Sequence, residues 1–188
     1  MNINTHQLAI PQQIHSANVE IVNKPGIYRN TDALITNNKN IVLTIQTADC
    51  FPIFVFDPYK DIIAIIHSGW RGTAQNIAGK SIAIMIERYK CKARDILTAI
   101  GPGIQQDNYQ VDNQTASHFE KKYIKSDGDN HYKLDIQGTI IDQLIKTGIM
   151  IDHIEYDTRC TFANEDLFYS YRRDGQKSGR MMGIISLL

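Results

Sequence analysis

The segment TADCFPIFVFDPYKDIIAIIHSGWRGTAQNIAGK, residues 47–80, organises the whole chain. It contains two apolar runs, residues 53–57 and 61–67, that are rich in β-branched and aromatic side chains and are separated by a Pro-Tyr pair. This pattern predicts two adjacent strands joined by a tight turn. If these strands pair as a hairpin, Cys50 and His67 lie at the same end of the sheet.

A glycine-punctuated turn, SGWRGT, follows His67 and leads into a predicted helix. Thr73 is a candidate N-cap, and apolar residues recur at helical spacing over residues 74–89. A helix N-terminus beside Arg71 predicts an anion site, to which Gly72 and Thr73 would contribute backbone N–H groups. The segment therefore offers a thiol, an imidazole, a guanidinium and free N–H donors in one place.

The rest of the chain alternates further strands with two more helices. The helices are predicted from a cap at Asp112 through Tyr123 and over residues 134–149. Residues 12–19 are predicted to be extended, with Ile14 facing the core. The alternation predicts an α/β (mixed α+β) fold, in which a mixed sheet is flanked by about three helices. The additional strands are predicted at residues 19–22, 33–35, 41–45, 96–100, 109–111, 151–156 and 182–187.

Composition limits the class of protein. A chain of 188 residues with 43% hydrophobic and 21% charged side chains suits one globular domain, residues 1–188. Twenty basic and twenty acidic side chains give no net charge, so no global field recruits nucleic acid or an anionic membrane. No apolar run reaches the roughly 18 to 20 residues of a membrane span, and the first residues lack a signal-peptide pattern. We therefore expect a cytoplasmic protein with neither nucleic acid nor membrane as a partner.

The three cysteines, Cys50, Cys91 and Cys160, form neither a disulfide framework nor a Cys-x-x-Cys pair, so we expect reduced thiols. The C-terminal stretch is rich in arginine and tyrosine. Its plainest interpretation is a solvated basic loop, which the zero net charge favours over a nucleic-acid surface. A ligand pocket is the alternative, in which Tyr171 stacks on a base and Arg172 binds a phosphate.

Five blocks occur in order between residues 13 and 181: QIHSANV, TADCFPIFVFD, HSGWRGT, GPGIQQDNYQV and FYSYRRDGQKSGRM. Together they resemble the YfiH-like or laccase-domain family, whose members are described as purine nucleoside phosphorylases with adenosine deaminase activity. The family fold is likened to cysteine hydrolases and toxin deamidases. The resemblance implies that His15, Cys50 and His67 bind one zinc ion and that Arg71 binds phosphate. It also implies a purine nucleoside and inorganic phosphate as substrates.

The chemistry of these residue types agrees with a metal. Two imidazoles and one thiolate leave the fourth position of a tetrahedral zinc open, as in catalytic sites. Phosphorolysis needs an anion site, which Arg71 would supply. Deamination of adenosine would need a carboxylic acid to transfer protons, and Asp49, next to Cys50, is the nearest candidate.

Other functions use the same residues. His67 could activate Cys50 as the nucleophile of a hydrolase or amidase, and relatives have been proposed to remove wrong amino acids from cell-wall precursors. Copper polyphenol oxidation, the family's other described activity, is less favoured because the six histidines do not cluster. A metal-stabilised binding module without catalysis is the third alternative. Each side chain also has a structural explanation: a lone histidine can be a polar core residue, Cys50 a small buried hydrophobe and Arg71 half of a surface ion pair.

Two departures from the family pattern are visible. Family members usually carry a further stretch before the first histidine block, whereas His15 lies close to the start of this sequence. The chain therefore looks short at its N-terminus, and a partner chain in a homo-oligomer would be one way to complete the pocket. In addition, Ser16 stands where the family commonly has glycine and Ser68 where it has alanine.

Overall fold

The structure is a computed structural model that describes residues 4–187. Within these residues it contains thirteen β-strands and five α-helices. Two of the helices are longer than five residues. The strands are β1 Leu8–Pro11, β2 Val19–Ile21, β3 Gly26–Tyr28, β4 Ala33–Thr36, β5 Val42–Thr47, β6 Phe51–Asp57, β7 Ile62–Ser68, β8 Leu97–Ile100, β9 Gln110–Asp112, β10 Ile124–Ser126, β11 His131–Leu134, β12 Ile154–Tyr156 and β13 Met181–Ser186. The helices are α1 Trp70–Ala74, α2 Ile77–Tyr89, α3 Asn113–Ala116, α4 Ile136–Lys146 and α5 Tyr171–Asp174.

A six-stranded mixed sheet in the order β12-β8-β6-β7-β4-β2 forms the centre of the fold. Its β6 and β7 pair antiparallel, with Phe51 opposite Ser68 and Pro52 opposite His67. The turn between them is closed by Asp57, whose Oδ1 accepts hydrogen bonds from the next backbone N–H groups. The predicted hairpin is confirmed, and it brings Cys50 and His67 to the same end of the sheet.

Both faces of this sheet are covered, which explains the unbroken apolar run of β7. Ile62, Ala64 and Ile66 pack against the long helices α2 and α4. Ile63 and Ile65 point the other way and pack against β5. All seven residues of β7 are buried, as expected for a strand between two layers.

The second layer is a four-stranded sheet in the order β13-β5-β1-β3. Strand β1 runs parallel to β5, whereas β13 runs antiparallel to it and places Met181 opposite Thr47. This pairing brings both terminal parts of the chain to the end of β5, immediately before Cys50. A small third sheet has the order β10-β11-β9, and its Val111 and Leu134 belong to the same core as the central sheet and the long helices.

Three local predictions are wrong. Ile14 does not face the core, since it lies in the loop between β1 and β2 and is 48% exposed. Thr73 is not an N-cap, because α1 begins after Gly69 and α2 has its cap at Asn76. Asp112 does cap a helix through the Thr115 N–H, but that helix ends at Ala116. The predicted mixed sheet with flanking helices is confirmed: α2 and α4 are the two long helices, and the other three helices have five residues or fewer.

None of the helices within residues 4–187 has the length and apolar character that crossing a membrane requires.

Candidate active site

Three side chains with metal-binding atoms meet at the end of the β6–β7 hairpin. His67 is the penultimate residue of β7, Cys50 lies directly before β6, and His15 belongs to the loop between β1 and β2. Their ligand atoms all lie within 4.8 Å of one another. The imidazole of His15 is exposed, the thiol of Cys50 is half-buried, and His67 is only 3% exposed. The structure therefore brings together the three residues that the resemblance implied.

Asp32, which the sequence analysis missed, supports two of the three. Its carboxylate accepts hydrogen bonds from the backbone N–H groups of Ile14, His15 and Ser16 at 3.3, 3.0 and 2.7 Å and from the Ser16 hydroxyl at 2.7 Å. It also lies 2.8 Å from Nδ1 of His67. Asp32 is fully buried, so a single carboxylate orients His67 and holds the loop that carries His15. A lone acidic residue before a strand gave no signal of this role.

Close approach of the three side chains depends on Gly69. A Cβ atom at this position would lie 2.7 Å from Sγ of Cys50 and 3.2 Å from Cδ2 of His15. The backbone angles of Gly69 are ordinary for any residue, with φ at −88° and ψ at 175°. Glycine is therefore needed here for space, and not for an unusual backbone conformation.

The buried groups shift one another's pKa values. Burial alone would raise the pKa of the Cys50 thiol, but hydrogen bonds with His15 and His67 and their charges lower it to about 7. Burial alone would lower the pKa of His67, but hydrogen bonds with Asp32 and Cys50 raise it to about 9. Burial likewise opposes ionisation of Asp32, yet hydrogen bonds from His67 and Ser16 lower its pKa to about 2. Without metal, the thiolate therefore forms beside an imidazolium and a carboxylate as the pH rises through about 7.

Alkylation of the metal-free protein should report this state. We expect iodoacetamide to modify Cys50 with a rate that rises through a midpoint near pH 7, because the thiolate is the nucleophile. Cys91 should stay unmodified to pH 9, since burial and the neighbouring Asp57 raise its pKa to about 12. Peptide mass spectrometry resolves the two sites. A midpoint for Cys50 at the ordinary thiol value of 9.0 would contradict the prediction.

A cavity of about 680 Å³ opens over the three side chains. Its wall includes Trp70 and Arg71 from α1, whose guanidinium carbon lies 4.3 Å from the centroid of the Trp70 ring. Other parts of the wall come from the ends of β1 and β5 and from residues close to the C-terminus. Those C-terminal residues include Tyr171 and Arg172, which the sequence analysis predicted, and Arg180, which it missed.

Tyr109 also lines the cavity and was not predicted. Its ring lies 5.1 Å from the guanidinium carbon of Arg172. Tyr109 and Arg180 fall within the fourth and fifth sequence blocks, so the resemblance was the one signal that could have indicated them. Composition and periodicity could not separate these residues from an ordinary polar loop.

Gly72 and Thr73, predicted to bind phosphate, lie outside the cavity wall. The Thr73 hydroxyl lies 2.8 Å from Oγ of Ser68 and donates to the carbonyl of Gly69 at 2.9 Å. A Cβ on Gly72 would lie 2.9 Å from the carbonyl oxygen of Ser16. Both residues therefore pack α1 against its neighbours, and Arg71 is the member of the trio that faces the cavity.

Asp49 borders the cavity, but its carboxylate is fully engaged. Its Oδ1 accepts a hydrogen bond from the Thr161 hydroxyl and its Oδ2 accepts one from the backbone N–H of Arg172, both at 2.7 Å. Asp49 is 8% exposed and has a φ of 80°, a left-handed conformation that is uncommon outside glycine. The residue before Cys50 thus ties the turn that carries Cys50 to the segment that supplies Tyr171 and Arg172.

The donor set fits a metal ion. Zinc bonds of about 2.0 to 2.3 Å place tetrahedral ligand atoms roughly 3.3 to 3.8 Å apart, so the three side chains need to move by no more than about 1 Å. The carboxylate on Nδ1 of His67 leaves Nε2 for a metal, an arrangement common in metal sites. Space for the ligands is already kept free by Gly69.

Comparison with known proteins places this geometry in a family. A family model described as "Multi-copper polyphenol oxidoreductase laccase" matches residues 1–188. The chain belongs to this family. Two solved structures also superpose closely: the Bacillus licheniformis hypothetical protein YfiH, with a TM-score of 0.95 at 30% identity, and YlmD from Geobacillus stearothermophilus, with 0.93 at 29%. The superposition with YfiH covers 98% of this chain and 76% of the YfiH chain. The superposition with YlmD covers 97% of this chain and 74% of the YlmD chain. The resemblance and the mixed α/β fold are both confirmed.

Relatives carry names of enzymes. "Purine nucleoside phosphorylase YlmD" of Bacillus subtilis is 32% identical over 84% of this chain, and the match spans 59% of that protein. The Geobacillus stearothermophilus protein of the same name is 31% identical over 93% of this chain and 70% of its own length. "Adenosine deaminase RL5" from an unknown prokaryotic organism is 27% identical over 96% of this chain and 75% of its own length.

Proposed function

We propose that this chain is a zinc-dependent purine nucleoside phosphorylase that cleaves adenosine, inosine, guanosine or methylthioadenosine, with adenosine deamination as a second activity. The single observation that carries the proposal is the meeting of His15, Cys50 and His67 in a cavity that Arg71 also lines. The names of the relatives support the same reaction class.

His15, Cys50 and His67 would hold the zinc ion, and Asp32 would orient the imidazole of His67. Bound zinc supplies Lewis acidity and lowers the pKa of a bound water. Two imidazoles and a thiolate also suit copper, which we place second because no further histidine cluster accompanies the site among the described residues.

In phosphorolysis, an oxygen of inorganic phosphate forms a bond to C1′ of the ribose while the bond from C1′ to the purine nitrogen breaks. The electron pair of that bond leaves with the purine, which takes up a proton. Arg71 fits the role of phosphate ligand because its guanidinium lies over Trp70 and forms no ion pair with a carboxylate among residues 4–187. Tyr171 and Arg172 would complete the substrate wall.

Asp49 remains the nearest acid to Cys50, but its two hydrogen bonds favour a different role from proton transfer. Both carboxylate oxygens are directed at the C-terminal part of the chain, one at the Thr161 hydroxyl and the other at the backbone N–H of Arg172. We propose that Asp49 positions the segment that carries Tyr171 and Arg172.

The test combines metal content with base release. Purified protein should hold about one zinc per chain, measured by plasma mass spectrometry, and should release base from adenosine or inosine only when phosphate is present. Arg71→Ala should retain zinc and lose roughly 100-fold or more of the phosphate-dependent rate, since it removes a charged ligand of the reacting group. Arg88→Ala, on the exposed side of α2, is the matched control and should keep the parent rate. Base release that ignores phosphate would contradict the proposal.

A Cys–His hydrolase, the amidase alternative, is the second candidate. The observation in its favour is the lowered pKa of Cys50 beside His67, which is typical of a nucleophilic thiolate. This activity would survive removal of zinc, would not need phosphate, and would be abolished by alkylation of Cys50. The phosphorylase should instead lose its activity when zinc is removed and should release base only when phosphate is present.

A further inference from the structure

The cavity wall is strongly cationic although the chain has no net charge. Three arginines line it, Arg71, Arg172 and Arg180, together with a single carboxylate, that of Asp49. The two oxygens of Asp49 accept hydrogen bonds from the Thr161 hydroxyl and the backbone N–H of Arg172, and among residues 4–187 this carboxylate forms no ion pair with the three guanidiniums. The cavity therefore presents an excess of positive charge to whatever it binds.

Each of these arginines lies over an aromatic ring that also lines the cavity. Arg71 lies over Trp70 and Arg172 over Tyr109, as described above. Arg180 lies over Tyr171, with its guanidinium carbon 5.6 Å from the ring centroid. Such contacts hold a guanidinium in place without neutralising it.

Backbone carbonyls fix two of the three further. Nη1 of Arg172 donates to the carbonyl of Gln110 at 2.8 Å. Nη1 of Arg180 donates to the carbonyls of Ser178 and Gly179, both at 2.8 Å. The other N–H groups of each guanidinium remain for a ligand, in the planar arrangement that suits phosphate.

The three arginines lie over rings that come from different parts of the chain. Arg71 lies over Trp70 at the start of α1, directly after the strand that ends with His67 and Ser68, and Arg172 lies over Tyr109, directly before β9. Arg180 instead lies with Tyr171, directly before β13, where Met181 pairs with Thr47 at the end of β5.

We propose that the cavity binds a nucleoside monophosphate, whose own phosphate group is held by Arg180 beside Tyr171. Arg71 and Arg172 are then left for inorganic phosphate close to the metal ligands. This inference rests on the proposed function and narrows its substrate class from neutral nucleosides to nucleotides. A neutral nucleoside with one inorganic phosphate would leave the Arg180 guanidinium without an anionic partner.

Isothermal titration calorimetry on the zinc-loaded protein at low salt tests the inference. We expect adenosine 5′-monophosphate to bind at least about 10-fold more tightly than adenosine, with the advantage shrinking as salt is added. Arg180→Gln should reduce the ratio of the two affinities by roughly 10-fold, while Arg180→Lys, which keeps the charge, should preserve part of it. Arg88→Gln, an exposed arginine on α2, should leave the ratio at its parent value.

Two results would overturn the inference: equal affinity for the two ligands in the parent protein, or a ratio that Arg180→Gln does not change. A third result would also overturn it. If Arg180→Gln lowers the affinity for inorganic phosphate as much as the affinity for the nucleotide, and phosphate competes fully with the nucleotide, Arg180 belongs to the inorganic phosphate site. Base release from adenosine in the same samples reports the proposed function separately, so a failure of the nucleotide inference is distinguishable from a failure of phosphorolysis.

Discussion

Replacing Asp32 with asparagine is expected to weaken zinc binding by roughly 10- to 100-fold and to destabilise the fold by about 3 kcal/mol. The buried carboxylate accepts five hydrogen bonds, one from the His67 ring and four from the loop that carries His15. An amide has one acceptor oxygen, and its NH2 group would face N–H donors that already lack water. The variant would lose both the orientation of His67 and the position of His15.

A zinc titration against a chromophoric chelator measures the first effect, and urea unfolding of the metal-free protein measures the second. Asp61→Asn is the matched control. Asp61 is exposed, and its Oδ2 lies 3.6 Å from Nζ of Lys39 in a surface ion pair. Such pairs contribute about 0 to 1 kcal/mol, so this variant should retain parent affinity and nearly parent stability. Equal zinc affinity in Asp32→Asn and the parent would show that the carboxylate does not orient the ligands.

The same carboxylate predicts how stability falls in acid. Its pKa is about 2 in the folded protein against an ordinary 3.8, so ionisation favours the folded state at every pH above the unfolded value. That contribution, about 2 kcal/mol, should be lost as the pH falls from roughly 4 to 2. Asp32→Asn should show a correspondingly shallower loss of unfolding free energy over this range, and an unchanged slope would contradict the assignment.

Gly69→Ala is the second substitution with a large expected effect. The added methyl group would lie 2.7 Å from Sγ of Cys50 and 3.2 Å from a ring carbon of His15, so the two ligands must move apart. We expect zinc affinity to fall by roughly 10-fold or more, because both displaced side chains are proposed zinc ligands. The metal-free protein should lose about 1 to 3 kcal/mol, as for an overpacked site. Chelator competition and urea unfolding measure the two quantities.

A double-mutant cycle separates this clash from other effects of the substitution. In a Cys50→Ala background the sulfur is absent, so Gly69→Ala should destabilise the metal-free protein clearly less than it does the parent. The same cost in both backgrounds would mean that the methyl group collides with something other than the thiol.

Several parts of the fold were predictable from local patterns. The β6–β7 hairpin and most strand positions follow from periodicity and turn residues. Local patterns failed where tertiary contacts override them. The segment around Ile14 looks extended and half-apolar, yet Asp32, eighteen residues away, holds it as a loop with Ile14 exposed.

The sequence by itself determined the hairpin that places Cys50 and His67 at one sheet end, and through its five blocks it indicated His15 and Arg71 as their partners. The tertiary structure alone decided what surrounds them. Asp32 beneath the proposed metal ligands, the space kept by Gly69 and the position of Arg172 over Tyr109 all depend on contacts between residues far apart in the chain. Such contacts leave no periodic or short-range signal, because their partners meet only when the two sheets and the C-terminal segment have packed.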